Sequence, residues 1–111
     1  MYCNISISIF DKSNLLPESA DELNRLSTYL EKHPNYQVAI TGHTDNFGTD
    51  AYNLNFSGNR AKAVADYLVE KGIGSQRITY RGAGSNEPVV DNSTAQGRSL
   101  NRRVEFMLTE I

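Results

Sequence analysis

The chain contains 111 residues, of which 39% are hydrophobic and 22% are charged, and its formal net charge is −2 at pH 7. This length predicts a single domain, residues 1–111, with one hydrophobic core. The slightly negative charge argues against a general nucleic-acid binder, and the single cysteine, Cys3, excludes a framework of disulfide bonds.

The first half of the chain predicts two strands separated by a helix. Isoleucine alternates with serine over residues 5–9, which is typical of a strand with one buried face. A turn is predicted at residues 11–14, and Pro17 favours a helix start soon after it. The apolar stripe of this first helix is formed by Leu23, Leu26 and Leu30. The second strand is predicted from Tyr36 to Thr41.

The second half predicts a longer helix and two further strands. This helix starts near residues 51–53 and ends at Gly72 and Gly74. Its apolar positions recur with helical spacing at Ala61, Val64, Ala65, Leu68 and Val69. A short strand, a loop, a short helix and a last strand then follow at residues 78–81, 82–88, 94–100 and 104–109.

The order of elements is β-α-β-α-β-(short α)-β. Strands that are joined by a helix pair in parallel by default, whereas the last strand can be antiparallel. The sequence therefore predicts an α+β fold, a two-layer sandwich in which a mixed sheet carries both long helices on one face.

Two opposite charges lie in the unit formed by the second strand, the loop after it and the second helix. Gly42 and Gly48 bracket a polar loop that contains Asp45, and Arg60 projects from the early part of the helix. A carboxylate and a guanidinium placed in this way can face one pocket, which suits a ligand carrying both an ammonium and a carboxylate. A structural ion pair between Asp45 and Arg60 is the alternative, and the sequence leaves both interpretations open.

Other polar residues are assigned by their spacing. One face of the second helix carries Asn53, Ser57, Arg60 and Val64, and this face places Arg60 at the boundary between core and rim. Arg102 and Arg103 precede the last strand, where successive side chains point in opposite directions. One of them could turn toward the ligand-facing end of the sheet, but two solvated arginines are the interpretation that the residues alone favour.

The segment His43-Thr44-Asp45 has the short spacing of a metal or catalytic pair. A tetrahedral metal site lacks its remaining ligands, and Ser57 is not in a Gly-x-Ser-x-Gly elbow. We therefore predict no catalysis, no metal and no cofactor, with His43 as a buried residue hydrogen-bonded within its loop. Gly82-Ala83-Gly84 lacks the third glycine of a dinucleotide-binding loop and is interpreted as a turn.

Several spaced motifs, taken together, resemble the OmpA-like C-terminal domain family. They are, in chain order, Ile40 to Asp45, Tyr52-Asn53, Phe56-Ser57, Arg60-Ala61, Gly82 to Gly84, Pro88, Asn92, Gly97-Arg98 and Asn101 to Glu105. The resemblance extends from about the first strand to the last, and the β-α-β-α-β-β fold that it implies agrees with the predicted order. The family includes outer-membrane porins, peptidoglycan-associated lipoproteins and flagellar stator proteins.

The resemblance implies a binding module and not an enzyme. Members hold peptidoglycan non-covalently through the diaminopimelate residue of its stem peptide, which anchors the outer membrane or envelope of Gram-negative cells to the cell wall. Asp45 matches the family's aspartate and would take the diaminopimelate ammonium, while Arg60 matches its arginine and would take the carboxylate. By the same matching, the pocket would be lined by Asn53 and Arg102, and the peptide contacted by the backbone around Asn46 and Phe47.

The resemblance also carries departures and alternatives. Phe56 replaces the usual leucine, which predicts a larger side chain in the core, and Leu54 predicts an exposed apolar residue near the pocket. The alternative function is a periplasmic protein–protein interaction domain that has lost wall binding. The expected location is the periplasm, with membrane attachment only through other parts of a longer precursor. The sequence leaves open whether the domain forms a homodimer.

Overall fold

A computed structural model describes residues 4–10, 20–88 and 90–111. Cys3, Pro17 and the turn predicted at residues 11–14 lie outside these ranges. The helices and strands are, in chain order, β1 (Asn4–Phe10), α1 (Ala20–Lys32), β2 (Tyr36–His43), α2 (Asp50–Glu70), β3 (Ile78–Gly84), α3 (Ala95–Asn101) and β4 (Arg103–Glu110).

The strands form one mixed sheet in the order β1-β4-β2-β3, which confirms the predicted sheet type. β4 is antiparallel to β1 and β2, whereas β2 and β3 are parallel. β1 and β2 therefore run in the same direction but do not pair, so the default pairing across the first helix is wrong. The last strand lies between them and pairs with both through backbone hydrogen bonds.

Both long helices cover one face of the sheet, as the alternation of apolar residues predicts. The register places Val38 opposite Leu108 and Ile40 opposite Phe106, so these four side chains lie on the same face. Helical residues complete the core at Leu23, Leu26, Leu30, Ala61, Val64, Ala65 and Leu68. The described residues thus form the predicted two-layer sandwich.

Helix α2 begins and ends at residues that stabilise helix termini. The hydroxyl of Thr49 accepts a hydrogen bond from the Tyr52 backbone N–H at 3.1 Å, which satisfies one of the donors at the helix start. After Glu70 the chain reaches Gly72 in the left-handed region, with φ of +98°, where a glycine carries no Cβ penalty. The predicted glycine stop is confirmed.

Helix α2 approaches the sheet closely at Gly42 and Gly82, because a Cβ added at either glycine would clash with the backbone of α2. Gly42 belongs to β2, and β3 continues through Gly82 to Gly84, so the predicted turn over residues 82–84 is wrong. The Ser57 hydroxyl accepts a hydrogen bond from the Gly84 N–H at 2.9 Å and donates one to the Leu54 carbonyl at 2.9 Å. The glycines serve close packing of backbone on backbone and not chain reversal.

Three segments meet at one end of the sheet, namely the end of β2, the loop that leads into α2, and the start of β4. β2 ends at His43, which lies opposite Arg103, the first residue of β4. The loop after β2 leads directly into the N-terminal part of α2. The polar residues singled out from the sequence are therefore carried by neighbouring elements.

Candidate ligand-binding site

Asp45 is a buried acid that is fixed from several directions. Its Oδ1 accepts the Phe47 backbone N–H at 2.9 Å, and its Oδ2 forms an ion pair with a terminal guanidinium nitrogen of Arg102 at 2.6 Å. The side-chain amide of Asn53 donates to the Asp45 carbonyl at 3.4 Å. These contacts hold the carboxylate at the mouth of the strand–loop–helix unit, while Asn46 and the side chain of Phe47 are exposed.

Arg102 lies at the junction between α3 and β4, and this junction places its side chain next to Asp45. The preceding residue, Asn101, is buried, and its amide donates to the Val90 carbonyl at 2.9 Å and to Asn92 Oδ1 at 2.8 Å. The same junction gives Arg102 a partly exposed position, with 39% of its side chain accessible. The resemblance implies that Arg102 lines the pocket, but it does not imply an ion pair between Arg102 and Asp45.

Arg103 turns the other way, as expected for successive residues at a strand start. Its side chain is only 3% accessible, and it donates to the carbonyls of Glu87 at 2.8 Å and Asn101 at 3.3 Å. The interpretation of two solvated arginines is therefore wrong. A buried guanidinium needs partners for its donors, and the carbonyls of Glu87 and Asn101 accept from its two terminal nitrogens.

The four residues predicted to share one face of α2 are all buried, namely Asn53, Ser57, Arg60 and Val64. The Arg60 guanidinium lies over the ring of Phe56, with 5.7 Å between its central carbon and the ring centroid. The resemblance predicts a larger side chain in the core at Phe56, and this prediction is wrong because Phe56 is exposed. Leu54 is exposed, as predicted.

His43 is fully buried, but its hydrogen-bond partner lies on β4 and not within the loop. Its Nε2 lies 2.8 Å from Glu105 Oε1, so the neutral ring carries its proton on Nε2 and donates it to the carboxylate. The second oxygen of Glu105 lies 3.2 Å from Arg103 Nε. Burial, followed by the nearby Arg103 charge, lowers the pKa of His43 below 6.5.

This shift predicts acid destabilisation of the fold. Because the pKa of His43 is lower in the folded than in the unfolded chain, its contribution is complete above pH 6.5 and is lost as pH falls toward the folded pKa. We expect the free energy of unfolding, measured with urea, to decrease below pH 6.5, with His43 contributing at most about 1.4 kcal/mol per pH unit. His43→Gln should flatten this slope, whereas His33→Gln, the change at the other histidine, should retain it. An unchanged slope in His43→Gln would contradict the assignment.

The contacts of Ser57 and His43 bear on whether this end of the sheet forms a catalytic site. The Ser57 hydroxyl is engaged with Leu54 and Gly84, and the His43 ring bonds Glu105, so the two are not arranged as a nucleophile and its base. Among the described residues, no group of three or more histidines, cysteines and acids is placed to hold a metal ion. Within the same residues, no helix has the length and apolar character needed to cross a membrane.

Comparison with known protein families and sequences identifies relatives over most of the chain. The OmpA family matches residues 9–102. The chain is 44% identical over 97 residues to outer membrane porin F of Pseudomonas aeruginosa, covering 86% of this chain and 28% of the porin. It is 42% identical over 98 residues to peptidoglycan-binding protein ArfA of Mycobacterium tuberculosis, covering 88% of this chain and 30% of that protein. The chain thus spans less than a third of the length of these two relatives.

Solved structures share the fold. The peptidoglycan-associated lipoprotein of Burkholderia pseudomallei superposes with a TM-score of 0.82 at 29% identity, covering 93% of this chain and 88% of the other. The cell wall anchor of the type VI secretion system (T6SS) of Pseudomonas aeruginosa gives a TM-score of 0.83 at 32% identity, covering 97% and 82%.

Proposed function

The chain belongs to the OmpA family, and from this premise and the geometry of the site we propose that it binds peptidoglycan non-covalently through the diaminopimelate of the stem peptide. Two similar proteins are named for peptidoglycan binding or association, and a third is described as a cell wall anchor. Such a domain would anchor the outer membrane or envelope to the wall from the periplasm. It would act by binding alone, without cofactor or chemistry.

The observation that supports this proposal most is the way in which Asp45 is held. A buried carboxylate at the end of β2 is fixed by the Phe47 N–H and by Arg102, and Asn53 holds its backbone. Arg60 is buried on the same helix face as Asn53. An acid and two arginines, each carried by a different element, are therefore set in place before any ligand arrives, which reduces the cost of ordering them on binding.

The chemistry of the ligand head group matches these charges. The free end of diaminopimelate carries an ammonium and a carboxylate on one carbon. Each oxygen of an ionised carboxylate has two acceptor sites, so Asp45 can accept the ammonium while it keeps its bonds to Phe47 and Arg102. The planar guanidinium of Arg60 has the geometry to take the ligand carboxylate by charge-assisted hydrogen bonds. Asn53 would fix the orientation of the head group.

A stem peptide with lysine in place of diaminopimelate tests the role of Arg60. Lysine keeps the ammonium but lacks the terminal carboxylate, so Arg60 would be desolvated without the charge that it pairs with. We expect the protein to bind the diaminopimelate peptide at least about tenfold more tightly than the lysine peptide in calorimetric titrations. In Arg60→Ala the preference for the diaminopimelate peptide should shrink to within about threefold, since the variant lacks the guanidinium that binds the carboxylate.

Arg81→Ala is the matched control, because Arg81 is an exposed arginine that pairs with Glu87 on the surface. It should retain the full preference for diaminopimelate. Equal binding of the two peptides by the unaltered protein would contradict the assignment of Arg60. If neither peptide binds and purified wall sacculi do not co-sediment the protein, peptidoglycan binding itself is excluded and a protein–protein interaction domain is favoured.

A further inference from the structure

Two aromatic rings on the outer side of α2 form an exposed flat surface that the proposed head-group site does not use. We call Tyr52 and Phe56 the aromatic shelf. Their ring centroids are 5.9 Å apart and the ring planes differ by 18°, so the two rings stack along the helix. Tyr52 is 62% exposed and Phe56 is 38% exposed. A stacked i, i+4 pair stabilises a helix only weakly, and the exposed parts of both rings are accessible to a ligand.

The aromatic shelf is continuous with the residues proposed to bind diaminopimelate. At one end, the Arg60 guanidinium lies over the Phe56 ring. At the other end, the loop after Asp45 passes close to the shelf, because a Cβ at Gly48 would lie 3.8 Å from both Tyr52 Cδ1 and Asn53 Oδ1. A ligand whose head group reached Arg60 and Asp45 would therefore extend over an apolar surface.

Distances along the helix decide which part of the ligand meets the shelf. Residues 56 and 52 precede Arg60 by one and two helical steps of four, which places them about 6 and 12 Å away along the axis. The methylene chain of diaminopimelate separates its head group from the stem backbone by about 5 Å. The sugar follows only after further stem residues, each of which adds up to about 3.5 Å. The shelf therefore matches the reach of the peptide better than that of the glycan.

Resting on the proposed function, we infer that the aromatic shelf binds the weakly polar part of the stem peptide beyond the diaminopimelate side chain, namely the stem residue next to diaminopimelate and the peptide bond that joins the two. Aromatic side chains provide large apolar contact areas with few rotatable bonds, so they bind such a segment at a low cost in conformational entropy. The tyrosine hydroxyl can in addition bond a peptide group. The shelf would thus favour diaminopimelate within a stem peptide over the free amino acid.

The test compares the Kd of three ligands, namely free diaminopimelate, the stem peptide, and the same peptide carrying its disaccharide. We expect the unaltered protein to bind the stem peptide at least about tenfold more tightly than free diaminopimelate, with little further gain from the disaccharide. Tyr52→Ala should reduce the peptide advantage to within about threefold and leave the Kd of free diaminopimelate within about twofold. Phe56→Leu, which keeps an apolar side chain beside Arg60, should act in the same direction.

Tyr80→Ala is the matched control, because Tyr80 is 48% exposed but lies on β3, outside the shelf. It should bind all three ligands as the unaltered protein does. A gain that appears only with the disaccharide would overturn the inference in favour of glycan contact. An unchanged peptide advantage in Tyr52→Ala, or an equal loss for all three ligands, would also overturn it. Failure of the unaltered protein to bind any of the ligands would instead overturn the proposed function, so the two failures are distinguishable.

Discussion

Replacing Asp45 by asparagine is expected to weaken binding of the diaminopimelate stem peptide at least about 100-fold, which corresponds to about 2.7 kcal/mol. The amide keeps the size of the carboxylate and can still accept the Phe47 N–H, but it carries no charge for the ligand ammonium. Removing one partner of a buried charge pair typically costs about 2 to 5 kcal/mol, because the other charge remains desolvated. The change also removes the anion that Arg102 contacts at 2.6 Å, so the site becomes more positive.

The control for this experiment is Asp91→Asn. Asp91 accepts the backbone N–H of Ser93 at 2.8 Å, the same two-residue pattern by which Asp45 accepts from Phe47, but Asp91 is exposed. Asp91→Asn should therefore bind the stem peptide like the unaltered protein. Circular dichroism and urea titration of both variants establish that any loss of affinity occurs in a folded domain. Binding by folded Asp45→Asn within about threefold of the unaltered protein would exclude Asp45 as the ammonium partner.

Much of the fold follows from periodicity. The two long helices and the last strand were identified because their apolar residues recur with clear helical or alternating spacing, and that spacing reflects one buried face. The position of β4 between β1 and β2 was not predicted, since alternation identifies a strand with a buried face but not its neighbours in the sheet. The limits of β2 and β3 were missed for another reason. Gly42, Gly82 and Gly84 are typical of turns locally, yet here tertiary packing selects them.

The site was predicted less completely than the fold. The resemblance to a family gave its residues, whereas the residues alone gave only a carboxylate and a guanidinium near one loop. The hydrogen bond between His43 and Glu105 crosses from β2 to β4, and the ion pair between Asp45 and Arg102 joins the loop after β2 to the residue before β4. Neither could be found from local spacing, because each depends on which strand lies beside β2. Once β4 is known to pair with β2, the register that places His43 opposite Arg103 makes both contacts understandable.

The close contact between β3 and α2 at Gly82 predicts a large destabilisation when a single methyl group is added there. A Cβ at Gly82 would meet the Gly58 N, and it would lie 2.6 Å from Ser57 Oγ and 2.7 Å from the Gly58 Cα. Two of these atoms belong to the backbone of α2 and cannot rotate away, so α2 must separate from β3. We expect Gly82→Ala to lower the free energy of unfolding by about 3 kcal/mol or more and the Tm by about 10 °C or more.

The same substitution on the helix side of this contact, Gly58→Ala, should not destabilise the fold. A Cβ at Gly58 would lie 3.9 Å from the Gly82 N, an ordinary van der Waals distance, and alanine is favoured over glycine inside a helix by about 1 kcal/mol. Gly58→Ala should therefore leave the Tm unchanged or raise it by a few degrees. This asymmetry separates steric exclusion from a general intolerance of the helix–strand contact to substitution.

If urea and thermal unfolding show Gly82→Ala to be as stable as Gly58→Ala, the close approach of α2 to β3 is wrong. The placement of Asn53 and Arg60 beside the Asp45 loop, which depends on that approach, would then be wrong as well.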